Sequence, residues 1–242
     1  LKVITGHQPA YLPWLGLIHK ASLADIFIYM DDVQYLEQDW NNRNQIKTGN
    51  NQSSWLTVPV DLKNSSSRIL KDILIKDEGL PFEKSWRAKH WNALQMSYGK
   101  APYFKEYRPL FEGLYCDVSW KFLSELNLKI LTQLFEIFQV KAKVVVASEL
   151  NFLEKKSDLI LEHATHFEAD IVVTGMHGKD YIQTEDFKKK GVKVVFQDYQ
   201  HPVYPQRFEG FVPRLTCLDL LFNCGPESVE ICFSNNITRN DL

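Results

Sequence analysis

Residues 2–32, KVITGHQPAYLPWLGLIHKASLADIFIYMDD, decide the fold. Lys2–Thr5 is a short β-branched run that stops at Gly6, and His7-Gln8-Pro9 follows as a polar loop. Trp14, Leu17, Ile18 and Ala21 then share one face at helical spacing, which predicts a helix over Trp14–Leu23. Asp25–Met30 is a continuous apolar run of strand length, closed by Asp31-Asp32. Strand, helix and second buried strand make a βαβ unit, so the two strands should lie parallel.

The same grammar returns downstream. Lys143–Ala147 and Asp170–Thr174 read as strands around a helix over Leu153–Phe167. Phe187–Lys190 reads as a helix end, capped by Gly191 before a strand at Lys193–Phe196. Both halves thus imply an α/β fold, a mainly parallel sheet with helices on both faces, in a single domain over 1–242. Between them, Ser54–Val60 reads as a strand, Leu62–Arg68 as a polar turn and Ile69–Ile75 as a strand or short ribbon. Helical spacing over Pro81–Tyr98, from about Phe104, and over Ser119–Val140 predicts a helical insertion at about 80–140. Leu218–Phe222 begins a short helix that Gly225-Pro226 ends, and Asn235–Leu242 should fray.

Composition excludes several function classes. With 45% hydrophobic and 24% charged residues the chain can bury a real core. A net charge of −2 gives no global field to draw in nucleic acid or an anionic membrane. No apolar stretch approaches the roughly 20 residues of a membrane span. The opening has no basic region followed by an apolar segment and cleavage site, so no leader is expected. Cys116, Cys217, Cys224 and Cys232 form no C-x-x-C pair, and reduced thiols in a cytoplasm are the expectation. His163 and His166, at i and i+3, lack a third ligand, so no metal site is expected.

Ligands of open parallel sheets bind beyond the carboxyl ends of the strands, and the polar loops of this chain fall there. His7 and Gln8 follow the first strand, in a turn suited either to an anion or to proton transfer. Asp31 and Asp32, then Gln34, follow the second; each aspartate suits a divalent metal, a proton or a cap. Arg43 stands among the amides of Asn41 and Asn44, a setting for bidentate contact with carboxylate or phosphate. His177, Lys179, Asp180 and Tyr181 follow a later strand and again suit an anion. His201, Tyr204 and Gln206 lie in a proline-held extended stretch whose alternate side chains can face one wall. Tyr11, Trp14, Lys20 and Asn223 complete the candidate set. For most of these the plain alternative is a loop side chain satisfying backbone groups or packing on the sheet rim.

Taken together, GHQPAYLPWLG, ADIFIYMDDVQY, NNRNQIKT, WLTVPV, GKDY, HPVYPQ and LDLLFNCGPES resemble the WbqC-like protein family. The resemblance runs from about His7 to Glu227 in the family's order. It implies a role in bacterial O-antigen, polysaccharide, other glycoconjugate or secondary-metabolite biosynthesis: transfer of an acyl or aminoacyl group to the amine of an amino sugar or carrier-bound substrate. On that reading His7 is the general base, and Asp31 or Asp32 orients it or binds Mg²⁺. Arg43 and Lys179 hold the donor's phosphate or carboxylate, while Tyr11, Trp14 and Tyr204 wall the pocket. The donor would be an acyl thioester, or ATP with Mg²⁺ in a carboxylate-activating variant. A non-catalytic binder of sugar nucleotide or carrier is the third reading, and a homo-oligomer is compatible with all three. The opening strand-turn-helix is also similar to that of nucleotidylyltransferases, whose His-x-x-His turn holds an ATP phosphate; His7 matches the first histidine, and Ala10 stands at the second. That similarity implies a nucleotidylyltransferase-like, Rossmann-like core.

Overall fold

In the computed structural model, which describes all residues except Asp77, Glu78 and Leu80, five parallel strands form one sheet in the order β5-β2-β1-β6-β7. They are β1 (Val3–His7), β2 (Ile26–Tyr29), β5 (Lys143–Val146), β6 (Ile171–Gly175) and β7 (Lys193–Gln197). Counting only these five in chain order, the sheet reads 3-2-1-4-5, and its direction of growth reverses between β1 and β6. This is the Rossmann-like arrangement that the opening βαβ unit implies. Register is continuous: Thr5 lies opposite Phe27 on one side and Val173 on the other.

The central strands read as unbroken apolar runs because both faces are covered. Phe27 and Tyr29 point to one face, where they meet helix α1 (Leu15–Ser22) and helix α4 (Leu123–Ile137). Phe27 and Phe135 pack edge to face at 5.2 Å. Ile4, Ile28 and Val172 point to the other face, against α5 (Lys156–His166) and α6 (Thr184–Lys189). The amino edge of the sheet is pinned by Asp25, whose carboxylate accepts from the Val3 N–H at 2.7 Å and from Arg239 at 2.6 Å. Arg239 also donates to the Leu23 and Leu1 carbonyls, so the expected fraying of 235–242 is overturned: the tail is held by a guanidinium with three acceptors.

Between β2 and β5 the chain builds a second layer. Strands β3 (Arg43–Gly49) and β4 (Gln52–Thr57) form an antiparallel hairpin. The expected strand at Ser54–Val60 is therefore β4, shifted toward its turn, and β3 occupies what reads as a polar segment. Ile69–Ile75 is not a strand. It makes only single bridges, Gln34 to Ile69, Val60 to Ile75 and Leu74 to Phe122, around a 3₁₀ turn at Leu70–Asp72. Its apolar residues Leu70, Ile73 and Ile75 are buried in the main core, which suffices to explain the pattern. Helix α2 (Trp86–Tyr98) packs against β3 of the hairpin, and α3 (Phe104–Cys116) packs against α2. The expected helix at Pro81–Tyr98 starts later, at Trp86, because Ser85 caps it by accepting from the Ala88 N–H. Leu80, the expected lower edge of this helical block, lies outside the described residues.

After β7 an extended strap, 198–216, crosses the hairpin and enters α7 (Cys217–Cys224) and α8 (Ser228–Phe233). Gly225 ends α7 with φ +56°, and a Cβ there would lie 2.3 Å from the Tyr103 ring, so only glycine fits. No helix among the described residues is long and apolar enough to cross a membrane.

Candidate functional site

The strand order reverses between β1 and β6, and open parallel sheets bind ligands in the crevice outside the carboxyl ends of their strands at such a point. His7, the last residue of β1, stands at that point. Its Nδ1 lies 2.7 Å from the Gln8 carbonyl, which only accepts, so Nδ1 carries the proton and Nε2 keeps its lone pair. Burial, and then the charge of Lys20, push the imidazole down to about 3, so it is neutral at any physiological pH.

Lys20 is the second unusual group. It projects from the last turn of α1, is 5% exposed, and donates to the Gly6 carbonyl at 2.9 Å. Burial pulls its ammonium down to about 8. No carboxylate among the described residues pairs with it. A buried cation normally has a counter-ion. Lys20 meets the Gly6 carbonyl in place of one.

From His7 a file of rings leads outward. His7 meets Trp14 edge-on at 5.3 Å, Trp14 meets Trp40 at 5.9 Å, and Trp40 meets Trp55 at 5.4 Å. The Arg43 guanidinium closes the file, 4.4 Å above the Trp55 ring. Arg43 also donates to the Gln38 carbonyl, while its buried Nε has no acceptor. Trp40 and Trp55 are 37% and 44% exposed, and their ring planes are tilted by 42° to one another. Gln8 reaches across to Asp39, donating at 3.2 Å, and so ties the His7 loop to the Trp40 loop.

The other expected residues fall into two groups. Tyr11, Asn41, Asn44, Tyr204, Gln206 and Asn223 make internal contacts. Asn41 donates to the Pro9 carbonyl at 2.8 Å and Asn44 to the Leu12 carbonyl at 2.6 Å, which fixes the loop between His7 and Trp14. Tyr11 points away from His7 and meets His90 and Tyr115. Gln206 donates to the buried Asp219 at 2.7 Å and accepts from the buried Lys47 at 3.2 Å. Tyr204 also packs beside Asp219, and Asn223 accepts from the Arg207 N–H at 2.9 Å. His201 donates to the Pro202 carbonyl and accepts from the Arg214 N–H, within the strap.

The second group lies at or near the carboxyl edge. Asp31 accepts from Ser148, at 3.0 Å from the N–H and 2.8 Å from the hydroxyl, and so clamps the end of β2 to the end of β5. Asp32 is half-buried, with one oxygen lacking a partner; burial first, and then Asp31, raise its pKa. Gln34 is exposed and bridges to Ile69. In the turn after β6, His177 lies 3.5 Å from Asp180, Lys179 sits 5.6 Å from the Phe196 ring, and Tyr181 approaches Thr174. All four are exposed. No group of three or more His, Cys, Asp or Glu among the described residues is arranged to hold a metal.

Trp40, Trp55 and Asp39 are not among the residues that the sequence marks as candidates. Trp55 carries a signal: Ser53 and Thr57, on the face of β4 that it shares, are both polar.

Comparison with known proteins agrees with the order of motifs. Residues 8–231 match the model of the WbqC-like protein family. The uncharacterized protein Rv1507c of Mycobacterium tuberculosis is similar, 29% identical over 231 residues that cover 95% of this chain and 97% of that one. No solved structure matches the chain. A match of that extent, through the His7 loop's neighbours, both strands of the hairpin and the strap, leaves one conclusion: the chain belongs to the WbqC-like protein family.

Proposed function

We propose that this protein is an enzyme that binds an anionic, ring-bearing small molecule at the β1–β6 crevice and transfers an acyl or aminoacyl group to that molecule's amine. The observation that carries the reading is Lys20, a buried cation with no carboxylate partner among the described residues, beside the neutral His7 at the end of the central strand. A phosphate or carboxylate supplies the missing charge, and the ring of a sugar or base lies along Trp40 and Trp55. Amino sugars linked to a nucleotide have both features.

In the reaction the amine nitrogen attacks the donor's activated carbonyl. A C–N bond forms, the donor's thiolate or phosphate leaves, and the amine's proton passes to the His7 Nε2. With a pKa near 3, His7 is a poor base in the free protein. The bound anion offsets the field of Lys20, the second cause of that depression, and stabilises the imidazolium as it forms. Arg43, whose guanidinium lies over the Trp55 ring, would meet the far end of the ligand. A thioester donor needs no metal. ATP with Mg²⁺ needs carboxylates; Asp32 has a free oxygen, whereas both oxygens of Asp31 accept from Ser148. The donor set therefore fits thioester chemistry better, although the strand order also suits a nucleotide.

Thermal shift against coenzyme A thioesters, nucleotide-linked amino sugars and ATP-Mg, followed by mass spectrometry of the paired mixtures, tests this directly. An amino sugar should stabilise the wild type but not Lys20→Met, and His7→Ala should lose about 10²–10⁴ in turnover. Stabilisation by ATP-Mg alone would move the reading to carboxylate activation, and undiminished turnover in His7→Ala would remove the base.

A further inference from the structure

The ladder between β1 and β6 stops short of its neighbours. β1 and β2 stay paired up to His7 opposite Tyr29, and the Met30 N–H then donates to the His7 carbonyl at 3.0 Å. β6 and β7 stay paired up to Gly175 opposite Gln197. The β1–β6 pairing ends earlier, at Thr5 opposite Val173. At its start the Ile171 N–H donates to the Lys2 carbonyl at 3.2 Å, and a parallel ladder repeats that bond at every second residue. Val173 therefore donates to the Ile4 carbonyl, and the next rung would join the Gly175 N–H to the Gly6 carbonyl. That rung is not made. The Lys20 ammonium donates to the Gly6 carbonyl instead, at 2.9 Å. The Gly175 N–H, aimed toward β1 by the same alternation, has no hydrogen-bond partner among the described residues. A backbone donor left over beside a buried ammonium is a pair of donors short of an acceptor.

Position 175 is also a glycine that its backbone does not require. Its φ of −72° and ψ of 169° are extended values open to any residue. Gly175 is half-buried, yet a Cβ built on it meets no heavy atom within 4 Å. Glycine inside a strand otherwise weakens it, and one use of the missing side chain is close approach of a ligand. The neighbours on that face are polar. Thr5 and Val173 lie opposite one another, so His7 and Gly175, two residues further on, share a face of the sheet. Gln197, opposite Gly175 on the other side, is fixed by donating to the Gly16 carbonyl at 3.0 Å and to the His19 Nδ1 at 2.6 Å. The space over Gly175 thus has His7 to one side and Gln197 to the other.

We infer that the Gly175 N–H and the Lys20 ammonium together hold the anionic group of the ligand, a phosphate or a carboxylate, in the space where any other residue at 175 would place its Cβ. Gly175 is then the residue that admits the anion. The inference rests on the reading of the β1–β6 crevice as the binding site, and not on acyl transfer. ¹H–¹⁵N NMR with inorganic phosphate and with acetate as probes tests it. The Gly175 amide signal should move saturably with the ion that fits, which tells phosphate from carboxylate, and sodium chloride at equal ionic strength should not move it. Gly175→Ala and Gly175→Val should fold with Tm at or above wild type, because the backbone angles and the open space accept a side chain. Gly175→Val should nevertheless weaken the ion by roughly tenfold or more, as should Lys20→Met. A lowered Tm in Gly175→Ala, undiminished binding in Gly175→Val, a shift that chloride reproduces, or no shift at Gly175 with either ion would overturn the assignment. Failure of the reaction looks different: undiminished turnover in His7→Ala removes the base and leaves the Gly175 shift standing. Conversely, a nucleotide-linked amino sugar that binds Gly175→Val as tightly as wild type removes this anion site and leaves the crevice.

Discussion

Replacing Lys20 by Met should make the protein more stable and unable to bind its anion. Burial lowers the Lys20 ammonium from an ordinary 10.5 to about 8. A depression of that size corresponds to roughly 3 kcal/mol against the charged form in the folded state. Methionine fills nearly the same volume without the charge. It forfeits the bond to the Gly6 carbonyl, worth about 1 kcal/mol, so the net gain near pH 7 is about 1–2 kcal/mol. In a chain of this length that raises Tm by roughly 2–8 °C. The sign of the pH dependence follows from the same shift. Between about 8 and 10.5 the unfolded chain holds the Lys20 proton more tightly than the folded one, so wild-type stability gains from this group as pH rises through that window. Lys20→Met should lack that gain, and the two proteins should converge above it. Urea denaturation at pH 7 and pH 10 measures both quantities, and ¹⁵N NMR of His7 gives a third. With the cation gone, the His7 pKa should climb from about 3. A variant less stable than wild type at pH 7, with the same pH profile and an unmoved His7, would refute the picture of an uncompensated buried charge.

Three further perturbations test the surrounding structure. Asp31→Ala removes the acceptor for both Ser148 donors and should cost about 2–4 kcal/mol in denaturant unfolding; a loss below about 1 kcal/mol would mean the clamp adds nothing. Tyr11→Phe strands the Tyr115 hydroxyl and the His90 Nδ1, and a loss of about 1–3 kcal/mol is expected, with no loss of ligand affinity at the crevice. Asp219 is fully buried and its pKa is raised to about 6, chiefly by burial. From about pH 4 to 6 the folded state holds that proton more tightly, so this group's contribution falls as pH rises. Asp219→Asn should therefore match wild type near pH 4 and exceed its stability at pH 7 by up to about 2–3 kcal/mol; identical profiles would place the titration elsewhere.

The parallel sheet was legible because its strands are buried on both faces and spaced by amphipathic helices. Phe27 and Ile28 are apolar for opposite faces, and the run DIFIYM records both. Strand β3 was not legible, since Arg43, Asn44 and Gln45 have poor strand propensity. Tertiary contacts override that preference: Asn44 secures the Leu12 carbonyl and Lys47 reaches the Phe208 carbonyl, so the strand is held by what lies across it. Ile69–Ile75 erred the other way. Its apolar residues are wanted by the core, and no neighbouring strand runs alongside long enough to make a ladder.

The candidate site shows a different kind of limit. Sequence marks which residues are polar, and it cannot mark which of them find partners inside the fold. Asn44 and Lys20 are both polar and buried, at 0% and 5% exposure. Asn44 donates to two carbonyls of the His7–Trp14 loop, whereas Lys20 meets one carbonyl and, among the described residues, no counter-charge. Buried polar groups are paired as a rule, so the ones left short of partners are those that something else completes. Removing each should then have opposite signatures. Asn44→Ala leaves the Leu12 carbonyl unpaired in the interior and should cost about 1–3 kcal/mol, with ligand affinity falling only as far as the loop shifts. Lys20→Met should gain stability and lose the ligand outright. If both variants instead lose stability and retain binding, Lys20 belongs to the scaffold, and the anion is held by Arg43 and the exposed turn after β6.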